Sequence, residues 1–169
     1  LMSSEINVFT DGSTLNNQSK ELRKGGVGVW FGDNDSRNIS IPLSDKFGTK
    51  VTNQVAELIA CTLAIDTILS TEKIGKKTIN IYTDSMYIVN SINTWAKGWE
   101  KNNWKKKDGK TIENLYEIKK LYYYSLNLKV KFIHVRSHQK EPEKTDPKYF
   151  IWYGNKMADE LAVSGSNQN

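Results

Sequence analysis

The stretch Ile81-Tyr82-Thr83-Asp84-Ser85-Met86-Tyr87-Ile88-Val89-Asn90-Ser91-Ile92 joins two patterns. Its approach, Thr78-Ile79-Asn80-Ile81-Tyr82-Thr83, is a short apolar run of strand character, and the residues from Ser85 onward have helical spacing. The residue between them is a carboxylate, Asp84. Burying a charge is costly, so a strand that looks buried should not end on an acid without a reason. Near the N-terminus, Asn7-Val8-Phe9-Thr10-Asp11-Gly12-Ser13 repeats the arrangement: a strand-like run, then Thr-Asp, then a small residue.

Outward from these two runs, the chain reads as an α/β alternation. Residues 5–11 alternate as a strand. Gly25 to Phe31 and Arg37 to Leu43 read as two more, separated by Gly and Asn/Asp clusters as in an antiparallel meander. Val51 to Leu69 carries apolar residues at 55, 58, 59, 62–63, 65 and 69, a helical period. The strand at 78–83 and a short helix from Ser85 follow. Then come an aromatic-basic segment, an amphipathic helix from about Ile112 to Ser125, a strand from Leu128 to Val135 and a helix from Asn155 to Ser164. The order βββαβαβα requires parallel crossovers for the later strands.

In open α/β sheets, ligands gather beyond the carboxyl ends of the parallel strands. If strands 5–11 and 78–83 are parallel neighbours, Asp11 and Asp84 emerge there side by side. Like charges that close resist joint ionisation, and a divalent cation relieves the conflict. Carboxylate oxygens are the ligands that hard cations such as Mg²⁺ take. Glu57, early in the long helix, and Asp159, in Gly154-Asn155-Lys156-Met157-Ala158-Asp159, are further acids embedded among apolar residues. Each also has an ordinary reading. Asp11-Gly12 is a common turn pair, Asp84-Ser85 a helix cap, and the other two could be solvated helix positions. Spacing alone does not bring the four together.

A length of 169 residues suits one domain, with residues 1–4 and 165–169 expected as disordered ends. Hydrophobic residues at 38% and charged residues at 25% suit a soluble globular chain. No apolar run approaches the ~20 residues of a membrane span, and Leu1 to Glu5 does not read as a signal peptide. The expectation is an intracellular protein, cytoplasmic or nuclear, with no membrane partner. Cys61 is the lone cysteine, which excludes an internal disulfide; in its apolar helical run it reads as a packing residue. The net charge is +5, and its excess is concentrated: six lysines (97, 101, 105, 106, 107, 110) lie between Trp95 and Lys110, against Glu100 and Asp108.

Taken together, Phe9-Thr10-Asp11-Gly12-Ser13, Thr52-Asn53-Gln54-x-Ala56-Glu57, Tyr82-Thr83-Asp84-Ser85, His138 and Gly154-Asn155-x-x-Ala158-Asp159 resemble, in order and over nearly the whole chain, the type 1 ribonuclease H family. The resemblance implies a ribonuclease H-like α/β fold. Its five-stranded mixed sheet has the order 3-2-1-4-5, with helices on both faces and a basic protrusion. It implies that Asp11, Glu57, Asp84 and Asp159 form a metal-binding cluster for two Mg²⁺ ions, with Mn²⁺ able to substitute. The implied reaction is largely sequence-independent hydrolysis of the RNA strand of an RNA/DNA hybrid, leaving a 5′-phosphate and a 3′-hydroxyl. His138 matches the family's loop histidine, implied to assist proton transfer or product release. His134, within Phe132-Ile133-His134-Val135, reads instead as a strand packing residue.

The remaining implied contacts grip the hybrid. The segment Trp95-Ala96-Lys97-Gly98-Trp99-Glu100-Lys101-Asn102-Asn103-Trp104 and the lysines after it resemble the family's protrusion, which holds the DNA strand. Lys97, Trp99, Lys101 and Trp104 are therefore assigned to substrate. Trp95 and Tyr87 match positions that pack against DNA sugars. Asn53, Gln54 and Ser85 match minor-groove contacts, and Asn17 or Asn16 joins them on the RNA side. Lys50, Thr52 and Asn114 match a DNA-phosphate pocket, with lysine where family members often carry arginine. The chain is expected to be monomeric. Residues 139–154, with Pro142, Pro147 and the aromatic run Tyr149-Phe150-Ile151-Trp152-Tyr153, form a longer loop than in many cellular members; the aromatic run could pack down as a small core extension or touch substrate. Three alternatives remain open: a ribonuclease H domain of a reverse transcriptase, a related-fold DNA nuclease or integrase, and a hybrid-binding module without catalysis.

Overall fold

A computed structural model describes residues 4–15, 23–44 and 51–168. The strands are β1 (Glu5–Leu15), β2 (Lys24–Trp30), β3 (Ile39–Leu43), β4 (Thr78–Thr83) and β5 (Val130–His134). They form one sheet in the order β3-β2-β1-β4-β5. The β1–β2 and β2–β3 pairs are antiparallel, and β1–β4 and β4–β5 are parallel. The helices are α1 (Asn53–Thr71), α2 (Met86–Asn90), α3 (Ala96–Lys101), α4 (Leu115–Asn127) and α5 (Lys148–Ser166). A π-helical turn, Ser91–Trp95, joins α2 to α3. This is the fold and strand order that the resemblance implies.

Alternation along β1 divides the protein into two layers. Ile6 and Val8 pack with Leu58, Cys61 and Ile65 of α1 in the larger core, and the Thr10 hydroxyl lies 3.6 Å from Cys61 Sγ. Phe9 points the other way, into a smaller core with Trp30 and Ala158 of α5. On that same side Asn80 Nδ2 donates to Asn7 Oδ1 at 2.9 Å, pairing two polar side chains across the parallel ladder. Of the described helices, α1 is long and apolar enough to cross a bilayer. Its place in the core accounts for that composition: Leu58, Ile65 and Ile68 are fully buried, each contributing about 1.5–3 kcal/mol.

Close approach on the other face comes from small residues. Gly26 and Gly28 of β2 lie against the Ala162 and Ala158 carbonyls of α5, where a Cβ would overlap backbone. The Ser40 hydroxyl of β3 donates to the Leu161 carbonyl at 2.7 Å and ties the same helix to the sheet edge.

Two expectations are corrected. Helix α5 starts at Lys148, so the aromatic run 149–153 is helical, not part of the loop. Phe150 meets Phe9 edge-on with ring centroids 5.4 Å apart, and Tyr153 meets Trp30 at 5.5 Å. At the other end, Gly165 and Ser166 are buried in the last turn of α5, not in a disordered tail. A Cβ on Gly165 would lie 2.5 Å from the Ile41 carbonyl oxygen, so the small residue is a packing requirement.

Candidate functional site

Strand β1 does not end at Asp11. It continues through Gly12 to Leu15 as the partner of β2, while its parallel pairing with β4 stops at Phe9 and Tyr82. Asp11 therefore stands just past the last parallel pair, and Asp84 just past the end of β4. Ser85, rather than Asp84, caps α2, its hydroxyl accepting from the Ile88 amide at 3.3 Å. Glu57 enters from α1, whose own N-cap is Thr52, with the side chain accepting from the Val55 amide at 3.1 Å. One carboxylate oxygen each from Asp11, Glu57 and Asp84 lies within 4.8 Å of the others.

The backbone supports this convergence. The Gly12 amide donates to Asp11 Oδ1 at 2.9 Å and also to Glu57 Oε1. Thr83 Oγ1 donates to Glu57 Oε2 at 3.5 Å. Asp11 is 5% exposed and Glu57 7%. Burial, and then the charge of Glu57, pushes the Asp11 carboxyl far above the ordinary carboxylate range. Glu57 is pushed up to about 7; burial is the main cause, opposed by its hydrogen bond with Asp11 and reinforced by the charge of Asp84. Asp84 is raised by burial and then by the charge of Asp159. Asp159 projects from α5 at the exposed rim, where it interacts with both Asp11 and Asp84. Asp11, Glu57 and Asp84 thus meet at one edge, with Asp159 facing Asp11 and Asp84 from the rim. Two like charges 4 Å apart repel by about 4 kcal/mol at an effective dielectric near 20. Only added protons or a cation can relieve that, so this donor set fits a hard divalent ion.

His138 follows β5 in a loop, with a left-handed φ of 56°. It lines a cleft of about 660 Å³ that also includes Asp84 and Asp159. His134 lines the same cleft. It ends β5, pairs in register with Thr83 and is exposed, so it is not the packing residue the strand pattern suggested. Phe132 fills that role at 7% exposure, whereas His134, two residues on at the strand end, is exposed. The register is the missing signal: a residue level with Thr83 stands beside Asp84.

The protrusion has two sides. Trp95, 42% exposed, and Trp99, with ring centroids 5.9 Å apart, line a groove of about 750 Å³ with Lys101, Lys105, Lys106 and Lys107. Lys97 is exposed on α3. Trp104 turns the other way, through a left-handed φ of 60°. Its ring meets Tyr122 at 5.7 Å and Tyr123 at 6.1 Å, with Lys119 Nζ 5.3 Å from its centroid. It anchors the protrusion on α4. Tyr87 and Asn114 are joined, Asn114 Nδ2 donating to the Tyr87 hydroxyl at 3.1 Å. Asn53 Oδ1 accepts from Thr14 Oγ1, and Gln54 is exposed beside it. Asn16, Asn17 and Lys50 lie outside the described residues.

Strand order, acid cluster and flanking grooves together define the ribonuclease H-like class of α/β fold, with a carboxylate site for divalent cations. The family model described as RNase H matches residues 3–167, and the chain belongs to that family. Human ribonuclease H1 is 34% identical over 162 residues, covering 96% of this chain and 50% of that protein. Ribonuclease H of Dechloromonas aromatica (strain RCB) is 31% identical, covering 95% of this chain and 92% of its own length. The chain spans about half the length of the mammalian relatives it matches. Among solved structures, the RNase H domain of PFV superposes with a TM-score of 0.67 at 23% identity, covering 96% of this chain and 94% of that one. LC9-RNase H1, a type 1 RNase H with the type 2 active-site motif, gives a TM-score of 0.70 at 24% identity, covering 96% and 72%.

Proposed function

We propose that this chain is a metal-dependent endonuclease that hydrolyses the RNA strand of RNA/DNA hybrids and acts as a monomer. The observation that carries the reading is the meeting of Asp11, Glu57 and Asp84 within 4.8 Å in a chain of the RNase H family. Bound there, two Mg²⁺ ions, with Mn²⁺ as a substitute, supply an activated water and charge stabilisation for the departing 3′ oxygen. The chain's own residues do the rest. Asp11, Glu57 and Asp84 hold the ions, and Asp159 completes the cluster from the rim. His138 moves a proton at the departing oxygen or helps the product leave.

Outside the acids, the contacts are with sugars and phosphates. Trp95 and Tyr87 pack against DNA sugars, where a 2′-hydroxyl would clash. Lys97, Trp99 and Lys101 grip the DNA strand, and Thr52 and Asn114, with Lys50, take a DNA phosphate. Asn53, Gln54 and Ser85, with Asn17, reach the minor groove and the RNA 2′-hydroxyls. None of these reads base edges in the major groove, so cutting is largely independent of sequence.

The test is digestion of an end-labelled hybrid in Mg²⁺, beside all-DNA and all-RNA duplexes and an EDTA control. Cleavage of the hybrid's RNA strand alone, lost in EDTA, is expected. Cleavage of the DNA duplex, or undiminished cleavage in EDTA, overturns the reading.

A further inference from the structure

We infer that the cleft between α5 and the loop after β5 is a subsite for one nucleotide of the RNA strand, next to the phosphate being cut. This rests on the function proposed above and extends it to residues with no role there. The cleft opens directly off Asp84 and Asp159. Its volume of about 660 Å³ lies within the range of small-molecule sites.

The lining has the chemistry of a nucleotide site. Away from the catalytic acids and the two histidines, Arg136, Lys140, Lys148 and Lys156 face one acid, Glu141. That is an excess of cations at a place where a strand leaving the acid cluster must carry its next phosphate. Trp152 gives the cleft an aromatic wall. Its indole Nε1 donates to the Gln139 carbonyl at 3.1 Å, fixing the loop against the helix. Lys156 Nζ lies 5.6 Å from its ring centroid and makes only a weak pair with Glu160, at 3.8 Å. Asn155, one helical turn before Asp159, also lines the cleft, and its side-chain oxygen is buried without a hydrogen-bond partner. A buried acceptor left unpaired is costly. A ribose 2′-hydroxyl or a base amino group would satisfy it, and phosphate oxygens would not.

The strand is the RNA for a geometric reason. The tryptophan–lysine groove assigned to DNA shares no lining residue with this cleft, whereas the cleft shares Asp84 and Asp159 with the site of cutting. Trp152 thus holds the loop down from α5 while Lys140 faces the ligand.

The test uses the whole chain carrying Lys140→Ala and Lys148→Ala, both exposed positions. A control, Lys73→Ala with Lys76→Ala, removes the same charge from the turn after α1. Steady-state cleavage is measured on hybrids whose RNA either stops at the cut or continues past it, on each side in turn. The cleft variant should raise KM about tenfold where the RNA continues on one side. Its binding should also lose about one unit of salt dependence. The control pair should do neither, and RNA that stops at the cut should erase the difference. Equal KM for the two variants, or a loss indifferent to RNA length, overturns the subsite. Binding is read separately by fluorescence anisotropy in an Asp84→Asn background. A failure of the hydrolytic reading, seen as binding without cutting, therefore stays distinguishable from a failure of the subsite.

Discussion

Gly12 lies so close beneath α1 that a Cβ on it would sit 2.5 Å from the amide nitrogen of Glu57. The two residues belong to different elements, and their contact brings the α1 acid up to Asp11. A methyl group there must push the helix away, because the nearest clashing atoms, the Ala56 carbonyl carbon and the Glu57 nitrogen, are backbone. Gly12→Ala should cost about 1–3 kcal/mol of stability, the usual range for overpacking. It should also lower metal-dependent cleavage at least tenfold while the fold persists. Urea denaturation and hybrid turnover on the same sample check both parts.

Asp84→Asn should abolish cleavage, leaving less than about one part in a thousand, as expected when a ligand group is removed from a metal-ion site. Its folded stability without metal should match or exceed that of the parent, because the substitution removes a charge that Asp159 repels. Circular dichroism melts in EDTA report the stability, and a radiolabelled hybrid reports the turnover. Parent-level turnover would refute the assignment of Asp84.

The acid cluster gives stability a definite pH dependence. Asp11, Glu57 and Asp84 all hold protons more tightly in the folded chain than ordinary carboxyls do. The native state therefore binds more protons than the unfolded one above about pH 4, and their contribution falls as pH rises. Up to the value of about 7 reached by Glu57, the parent in EDTA should lose stability relative to Glu57→Gln. Mg²⁺ should raise the thermal midpoint more at pH 8 than at pH 5, because it binds the deprotonated acids. A flat difference between parent and Glu57→Gln across pH 4–8 would contradict this.

The two faces of the protrusion should respond differently to alanine. Trp104→Ala removes a ring packed on Tyr122 and Tyr123 and should cost about 2–4 kcal/mol. Trp95→Ala removes an exposed ring and should change stability by less than about 1 kcal/mol, while raising KM for the hybrid. Thermal melts beside Michaelis kinetics separate the two.

The sequence showed most where local pattern and chemistry coincide. Asp84 stood out because an acid interrupts an apolar run, and the structure places it at the carboxyl edge that the βα alternation requires. Asp159 was another matter: its apolar surroundings alone left it an ordinary helix position, and the ordered motif set singled it out before α5 was seen to carry it to the rim. The start of α5 was obscured by five residues, four of them aromatic, that show no helical period alone. Pro142 and Pro147 also read as loop, although Pro147 stands at the helix N-cap. His134 was misread because alternation from Phe132 puts it on the buried face, and only the register with Thr83 shows that it stands at the strand end beside Asp84. Gly165 and Ser166 looked like a loose end because small residues signal both freedom and tight packing, and sequence does not say which.

The close seat of Gly165 under Ile41 has a practical consequence for anyone handling this protein. A single unbroken helix connects that seat to Asp159, six residues and about 9 Å away. Tags, fusions and shortened versions should join no earlier than Asn167. A cut just inside that limit would unseat the far end of the rod, and the catalytic rim would register the slack even though nothing near it had been touched.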